Sequence, residues 1–214
     1  MRLLAITPIA VDGQELSRRQ ARYDRLAPAG VEVYLDNVGA GSHVPRALES
    51  ADDVEASEAA LRERYAAADA SGYDAFLPDC VLDPLVGESR GFDVPVFGIG
   101  RLTAQFLSGL GASFGAVARN GAIAAELDRK LGTYGVPHTV RTLVLDLSVE
   151  DLADDATWAA AVKRETASLD CDYVINACSA VEVDQGGRRP VLVDPTATAL
   201  RLLTVRRSLT EMSR

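Results

Sequence analysis

The chain has 214 residues and a formal net charge of −9, and its 22 basic residues are scattered rather than clustered. Nucleic acids and anionic membrane surfaces attract basic patches, so this charge pattern favours a small-molecule substrate as the partner. The N-terminal apolar run is too short for a signal peptide, and no run approaches the roughly 18 residues of a membrane span. The sequence therefore predicts a cytoplasmic protein with no nucleic-acid or membrane partner.

Strand and helix signals alternate through the first half of the chain. Short apolar runs predict buried strands, and polar and apolar positions at helical spacing predict helices. The predicted order is a strand at 3–6, a helix at 15–27, a strand at 31–35, a helix from the Ser50 cap to about 70, and a strand at 75–78. Thr7, Pro8 and Ile9 leave the first strand as a loop, because proline cannot donate to a strand ladder. Residues 39–45 predict a flexible loop.

The second half continues the same alternation. Its predicted order is a helix at 102–110, a strand at 114–117, a helix at 121–134, a strand at 140–145, a helix at 149–168, a strand before Cys178, a strand at 190–195, and a last helix from Pro195 to about 209. The last helix has no counterpart in mid-chain. We expect it to pack back on the first half.

Two similar stretches indicate an internal duplication. Asp74 and Asp172 each open an apolar run that ends in a cysteine six residues later, Cys80 and Cys178. A strand that begins with proline, at 95–100 and at 190–195, follows each stretch. A repeat of this length predicts two α/β halves that face each other, with one thiol from each half at an equivalent position.

The three cysteines differ in what they predict. An odd number of cysteines in a reducing compartment favours free thiols over a disulfide framework. Cys171 has no repeat partner and is interpreted as a core residue. Cys80 and Cys178 are interpreted as a functional pair, because burial alone does not require a cysteine at both equivalent sites. The chemistry that a matched pair of thiols suggests is proton transfer to and from carbon.

The sequence also predicts how the thiols are activated. Asp83 and Pro84 resemble a helix start, which would place Cys80 beside a helix N-terminus and lower its pKa towards neutrality. One thiolate would then remove a proton from carbon while the opposite thiol donates one to the other face. The backbone N–H groups after each cysteine would stabilise the enolate formed beside a carbonyl.

No cofactor or metal is expected from the remaining residues. His43 and His138 lie in separate segments without the spacing of metal ligands, and Lys130 and Lys163 fall on predicted helices. A metal site or a Schiff base therefore has little support in the sequence.

Several motifs resemble those of the aspartate/glutamate/hydantoin racemase superfamily. Residues 80–90 with 94–100 are similar to its first cysteine motif, closest to the hydantoin and allantoin racemase branch, and residues 176–179 with 190–195 are similar to its second. The loop at 39–50, which ends Pro-Arg-Ala-Leu-Glu-Ser, also resembles a family segment that ends Ile-Glu-Ser. Together these motifs cover most of the chain.

The resemblance implies an α/β fold of two pseudo-symmetric flavodoxin-like lobes, each a mostly parallel sheet flanked by helices. The active site would lie in the cleft between them, with Cys80 and Cys178 as the two bases and no cofactor. We expect residues 1–100 plus 195–214 to form the first lobe, residues 101–194 to form the second, and the protein to be a homo-oligomer.

The resemblance also implies which loops contact substrate. The branch usually has an asparagine-rich loop where this chain has residues 7–9, and paired threonines where it has residues 118–120. The residues expected to bind substrate are Thr7, Pro8, Val81, Arg119, Asn120 and Ser179. Arg119 is either a clamp for a substrate carboxylate or a solvated loop charge.

The motifs and the resemblance are compatible with three functions. The first is a racemase or epimerase that acts next to a carbonyl, on a hydantoin-like compound or on an amino or carboxylic acid. The second is a cis-trans isomerase of a small unsaturated dicarboxylate, similar to maleate isomerase, with a nucleophilic cysteine. The third is a non-catalytic binder in which the cysteines are packing residues. Retention of both thiols argues against the decarboxylase of the superfamily, which uses one.

Overall fold

Two sheets of parallel strands form the framework of the protein. The computed structural model describes residues 1–39, 41, 43–87, 91–136, 140–183 and 189–212, so His138 and residues 88–90 of the first cysteine motif lie outside the described residues. The strands are β1 (Arg2–Thr7), β2 (Glu32–Asn37), β3 (Ala75–Phe76), β4 (Phe114–Ala118), β5 (Leu143–Val144), β6 (Tyr173–Asn176) and β7 (Val191–Val193).

Helices connect these strands. They are α1 (Gly13–Leu26), α2 (Ala51–Ala66), α3 (Ile99–Gly109), α4 (Gly121–Thr133), α5 (Asp155–Thr166) and α6 (Pro195–Met212), with short 3₁₀ helices at Ala70–Gly72 and Glu150–Ala153. Local sequence determines several starts. Ser50 and Asp53 form a reciprocal capping box on α2, and the side chains of Asp12 and Asn120 cap α1 and α4.

The two sheets repeat one strand order. The first runs β2-β1-β3, and a parallel bridge between Phe76 and Val96 extends it beyond β3. The second runs β5-β4-β6-β7, and all of its pairs are parallel. The predicted α/β fold with two parallel sheets flanked by helices is confirmed.

The aspartate that opens each cysteine stretch anchors its strand to the first strand of its half. The Asp74 carboxylate accepts the Arg2 N–H at 2.7 Å, and the Asp172 carboxylate accepts the Ser113 N–H at 3.1 Å. Each aspartate therefore sets the register of the strand that leads to a cysteine.

One apolar cluster joins the two halves. It contains Leu3 and Ala5 of β1 together with Phe114 and Ala116 of β4, all nearly inaccessible to solvent. Helix α6 packs on α3 and also contacts α1. The last helix thus contacts elements of both predicted lobes, and the division into residues 1–100 plus 195–214 and residues 101–194 stays a prediction.

Two local predictions are wrong. Residues 81–87 form turns rather than a helix, and Asp83 has a φ of +53°. The Asp83 carboxylate caps a distant helix, α3, instead of starting its own. Only Val96 of the predicted strand at 95–100 pairs with the sheet, and α3 already begins at Ile99. Within the described residues, no helix is long and apolar enough to cross a membrane.

Candidate active site

A cavity at the carboxyl ends of the parallel strands contains both thiols. Cys80 follows β3 and Cys178 follows β6, and both line the same cavity, which encloses about 640 Å³ including its open mouth. Parallel strands of the same order place their carboxyl-end loops at equivalent points.

An equivalent backbone N–H lies next to each thiol, but the surroundings of the two thiols differ. The backbone N–H two residues further on lowers the thiol pKa in both turns, from Leu82 for Cys80 and from Ala180 for Cys178. Burial is the larger effect on both thiols, and it raises the pKa of Cys80 to about 12 and that of Cys178 in the same direction. The expectation that a helix N-terminus brings Cys80 towards neutrality is therefore wrong.

The residue after each cysteine also lines the cavity. These residues are Val81 and Ser179, both predicted from the sequence to contact substrate. Within the part of the chain that the structure describes, neither backbone N–H has an intramolecular partner. The Ser179 hydroxyl donates to the carbonyl oxygen of Asp79 at 3.1 Å and so joins the two cysteine turns directly.

A buried polar cluster lies behind the thiols. Asp79, which precedes Cys80, accepts hydrogen bonds from Arg19 Nη1 at 3.0 Å and from the Tyr23 hydroxyl at 2.8 Å. Arg19 also donates through Nε to Glu15 at 2.7 Å. Asp79 and Arg19 both line the cavity although each is less than a tenth exposed. The buried carboxylate is thus paired with a cation and hydrogen-bonded through both of its oxygens, as burial of a charge requires.

The same helix holds the turn after Cys178. Arg18 donates to the carbonyl oxygen of Ala180 at 2.8 Å, and Arg22 donates to that of Val181 at 3.0 Å. Arg22 is also paired with the buried Asp194 at 2.6 Å. Helix α1 of the first half therefore fixes the cysteine turn of the second half through charge-assisted hydrogen bonds.

The turn after Cys80 is fixed by a carboxylate instead. The two oxygens of Asp83 accept the backbone N–H groups of Gly100 and Arg101 at 2.8 and 2.5 Å, which caps α3 from a remote segment. The N-cap residue Gly98 has no capping side chain of its own. Burial raises the pKa of Asp83 to about 7.

Two glycines make this remote cap possible. A Cβ on Gly98 would lie 2.6 Å from Asp83 Cγ, and a Cβ on Gly100 would overlap the carbonyl oxygen of Val81. The Gly-Ile-Gly sequence at 98–100 is therefore explained by close approach of the Cys80 turn to α3.

The loop at 43–50 forms another wall, and β4 anchors it. Arg119 is buried and donates to Leu48 O at 3.1 Å and to Leu147 O at 3.2 Å, and it pairs with Glu49 at 2.8 Å. Asn120 donates to the same Leu48 oxygen at 2.8 Å. Arg119 lines the cavity, but it is not a solvated charge, because it is buried and its guanidinium is already paired with a carboxylate of the protein.

Two of the predicted binding residues have other positions. The Thr7 side chain is fully buried and donates its hydroxyl to Ile9 O at 3.0 Å, while its neighbours Pro8 and Ile9 line the cavity. The Asn120 side chain accepts the Ile123 N–H as the cap of α4. Neither Thr7 nor Asn120 is among the residues that line the cavity. Their hydroxyl and amide groups are used inside the protein.

Sequence reasoning missed three charged residues of the site. Arg19 and Asp79 form the buried pair behind the thiols, and Arg46, on the loop at 43–50, lines the cavity with an exposed side chain. Among the described residues, the Arg46 guanidinium has no hydrogen-bond or ion-pair partner. For Arg19 the sequence did contain a signal. The spacing of Arg18, Arg19 and Arg22 on α1 places several cations on one side of the helix.

Other candidate residues lie outside the cavity. Cys171 is buried in a core cluster with Trp158 and Val162, as the sequence indicates. His43 is exposed and is not among the lining residues. In the described ranges, no three His, Cys, Asp or Glu side chains are grouped so that they could hold a metal ion.

Comparison with protein families gives a match over most of the chain. The family model described as "Asp/Glu/Hydantoin racemase" matches residues 18–203. The matched range contains both cysteine turns and the arginines of α1. No curated protein sequence matches the chain.

Solved structures of similar fold include racemases and isomerases. Allantoin racemase from Klebsiella pneumoniae is 19% identical, with a TM-score of 0.82 over 98% of this chain and 89% of that one. Allantoin racemase from Pseudomonas fluorescens is 17% identical, with a TM-score of 0.80 over 100% and 92%. Maleate isomerase from Pseudomonas putida S16 is 13% identical, with a TM-score of 0.63 over 97% and 93%.

At these identities the structural likeness shows the fold, and the family match shows the membership. The expectation from the cysteine motifs is therefore confirmed. The chain belongs to the Asp/Glu/hydantoin racemase family, has a fold similar to that of two allantoin racemases, and is an enzyme of the racemase and isomerase class.

Proposed function

We propose that the chain is a cofactor-independent racemase or epimerase that inverts a carbon next to a carbonyl in a small molecule. The observation that supports this most directly is that Cys80 and Cys178 occupy equivalent positions in the repeat and line one cavity. Inversion requires a base on one face of the carbon and an acid on the other, and two matched thiols supply both.

The proposed reaction proceeds in two steps. One thiolate takes the proton from carbon, so that an S–H bond forms and the C–H electron pair moves onto the carbonyl as an enolate. The opposite thiol then gives its proton to the other face and becomes the thiolate. A desolvated thiolate of high pKa is a strong base, which suits a weakly acidic carbon.

The enolate oxygen needs donors that are already in place. The backbone N–H groups of Val81 and Ser179 are candidates, because both residues line the cavity next to a thiol and neither N–H has a partner among the described residues. Preorganised donors of this kind stabilise charge as it develops.

The cavity also supports a proposal on the substrate. Its wall includes apolar side chains from Ile9, Leu48 and Ile123, together with the exposed guanidinium of Arg46. Arginine binds carboxylates through paired hydrogen bonds. We therefore favour an amino or carboxylic acid over a neutral hydantoin, and we assign Arg46 rather than Arg119 to the substrate anion.

The test is solvent deuterium exchange with single cysteine variants. We expect Cys80→Ser and Cys178→Ser nearly to abolish racemisation, because turnover needs both an acid and a base. Each variant should still exchange the α-hydrogen of one enantiomer, and the two variants should exchange opposite enantiomers. Proton NMR of each pure enantiomer in heavy water measures this, with candidate substrates first selected by melting shifts.

Cys171→Ser is the matched control. It removes a thiol that lies outside the cavity, so both enantiomers should continue to racemise. Exchange of the same enantiomer by both active-site variants would contradict the assignment of one thiol to each face of the carbon. Wild-type turnover without deuterium at carbon would favour the isomerase with a nucleophilic cysteine. Unchanged ligand affinity in both variants and no turnover in the wild type would favour a binding protein.

Three wider expectations belong to the same proposal. Activity should survive exhaustive dialysis with a chelator, since the thiols alone exchange the protons. We also propose that the protein is a cytoplasmic homo-oligomer. Light scattering of the purified protein measures the oligomeric state, and a monomer at micromolar concentration would contradict that part.

A further inference from the structure

The two thiols lie in opposite electrostatic surroundings. The turn that contains Cys178 is bounded by the cationic side of α1, where Arg18 and Arg22 hold the carbonyl oxygens of Ala180 and Val181. Arg19 lies between them in sequence, on the helix that holds the Cys178 turn, and lines the cavity that both thiols share. Arg19 and Arg22 both lower the pKa of Cys178, against the larger raising effect of burial.

Cys80 lies between carboxylates. Asp79 precedes it, and Asp83 follows three residues later with its carboxyl group wholly buried. After burial and the opposing Leu82 N–H, these two carboxylates are the next largest effects on Cys80, and both raise its pKa. The internal repeat is therefore symmetric in its thiols and asymmetric in the charges around them.

We propose that Arg19 is a positioning residue that makes Cys178 the first thiol to ionise and Cys80 the resident proton donor. Arg19 is suited to this role because ion pairs with Glu15 at 2.7 Å and with Asp79 at 3.0 Å hold its guanidinium in position. A buried guanidinium held at two points keeps its position when a thiolate forms in the same cavity. The role of this order of ionisation in catalysis rests on the proposed function, but the order of ionisation itself does not depend on it.

The order of ionisation determines which enantiomer the free enzyme deprotonates. In the free enzyme Cys178 loses its proton to solvent and becomes the base for one enantiomer. When that enantiomer reacts, Cys178 gains the proton from carbon, Cys80 gives its proton to the product, and the enzyme is left with a Cys80 thiolate. The Cys80 thiolate must then regain a proton, and Cys178 must lose one, before the same enantiomer reacts again.

Other charged groups also face the thiols. Asp79 raises the pKa of both thiols and therefore acts against Arg19 at Cys178. Arg46 and Arg119 line the cavity from the loop at 43–50 and from the end of β4, and Arg119 is paired with Glu49. A test must therefore change Arg19 without changing these groups.

The experiment measures the alkylation rate of each thiol against pH in the substrate-free enzyme. Isotope-coded iodoacetamide reacts with the thiolate, and mass spectrometry quantifies the peptides of Cys80 and Cys178 separately. We expect the Cys178 rate to level off at a lower pH than the Cys80 rate. Midpoints rather than absolute rates are compared, because Cys80 is the more buried thiol.

Charge variants of α1 then test the assignment. Arg19→Gln should raise the Cys178 midpoint by about 0.5 to 1 pH unit, while Arg19→Lys, which keeps the charge, should stay close to the wild type. Asp79→Asn should move the midpoint in the opposite direction and keeps the inference testable if Arg19→Gln fails to fold. Arg25→Gln is the matched control, since it removes a charge from the same helix at an exposed position paired with Glu182.

The outcomes separate this inference from the proposed function. A Cys80 midpoint at or below that of Cys178 in the wild type would overturn it, as would an Arg19→Gln midpoint equal to that of Arg25→Gln. Alkylation needs no substrate, so the expected midpoints without racemisation would contradict only the proposed function. Racemisation with equal thiol midpoints would contradict only the role of Arg19. In an active enzyme, Arg19→Gln should also move the pH profile of kcat/KM upwards for the enantiomer that Cys178 deprotonates, with a smaller change for the other.

Discussion

The Ser179 hydroxyl donates to the carbonyl oxygen of Asp79 at 3.1 Å, so the residue after one cysteine is bonded to the residue before the other. This contact joins the two halves of the repeat beside the cavity that both thiols line. It belongs to neither sheet, and it fixes the cysteine turns relative to each other across 100 residues of sequence.

Loss of the hydrogen bond between Ser179 and Asp79 should make the folded protein less stable. We expect Ser179→Ala to lower the free energy of unfolding by about 1 kcal/mol, the usual net value of one hydrogen bond. Denaturant unfolding measures the change. Ser208→Ala is the matched control, because it removes an exposed hydroxyl that also donates to a main-chain carbonyl. Equal stabilities for the two variants would show that the cross-repeat contact contributes nothing.

Two glycines of α3 should respond to alanine with opposite signs. Gly100→Ala should destabilise the protein by about 2 kcal/mol or more, because its Cβ would overlap the carbonyl oxygen of Val81 in the Cys80 turn. Gly109→Ala lies at the other end of the helix in open space and should stabilise it by about 0.5 kcal/mol. Thermal unfolding of both variants is the measurement, and a destabilised Gly109→Ala or an unaffected Gly100→Ala would contradict the packing argument.

The raised pKa of Cys80 predicts how stability depends on alkaline pH. The unfolded chain releases this proton near pH 9, whereas the folded protein holds it to about pH 12. The native state therefore binds more protons in this window, and its stability falls as pH rises from about 9, by up to roughly 1.4 kcal/mol per pH unit. Cys80→Ser removes this contribution, so its unfolding free energy should fall less steeply between pH 9 and 10.5. Parallel curves for the two proteins would contradict the raised pKa.

Arg46 should determine affinity for an anionic substrate. Arg46→Gln should raise KM, or the Kd of a non-reacting carboxylate ligand, about tenfold or more, since a hydrogen bond to a charged group contributes about 1.5–3 kcal/mol. Arg46→Lys should retain part of the affinity, because it keeps the charge but loses the paired geometry. Titration calorimetry with a carboxylate ligand measures the change. Arg141→Gln, an exposed arginine that does not line the cavity, is the control, and an equal effect of the two glutamine variants would assign Arg46 to the general surface charge.

Arg119 should act on the loop rather than on the substrate. Arg119→Ala removes the contacts to Leu48, Glu49 and Leu147, so we expect faster hydrogen exchange in residues 46–50 even without ligand. Affinity for a carboxylate ligand should fall less than in Arg46→Gln. If Arg119→Ala weakens binding more than Arg46→Gln and leaves exchange unchanged, the carboxylate clamp belongs to Arg119.

The sequence alone was sufficient for the repeat and the fold class. Asp74 and Asp172 mark the start of each cysteine strand, and the structure gives the reason, because each carboxylate accepts the N–H that opens the first strand of its half. Apolar runs and capping residues such as Ser50 act over a few neighbouring positions, so they can be read along the chain. The equivalence of Cys80 and Cys178 follows from the same local pattern.

Only the tertiary structure decided the environment of the thiols. The local Asp83-Pro84 pattern predicts a helix start, but Asp83 instead satisfies free N–H groups of α3 that lie 17 and 18 residues away. Arg19 and Asp79 are 60 positions apart, and nothing in either local sequence indicates their pairing. Burial has the largest effect on the pKa of both thiols, and it depends on how the two halves pack around them. Local pattern thus determines the strands and the two cysteines that follow them, whereas long-range packing determines which other side chains reach the cavity and what their partners are.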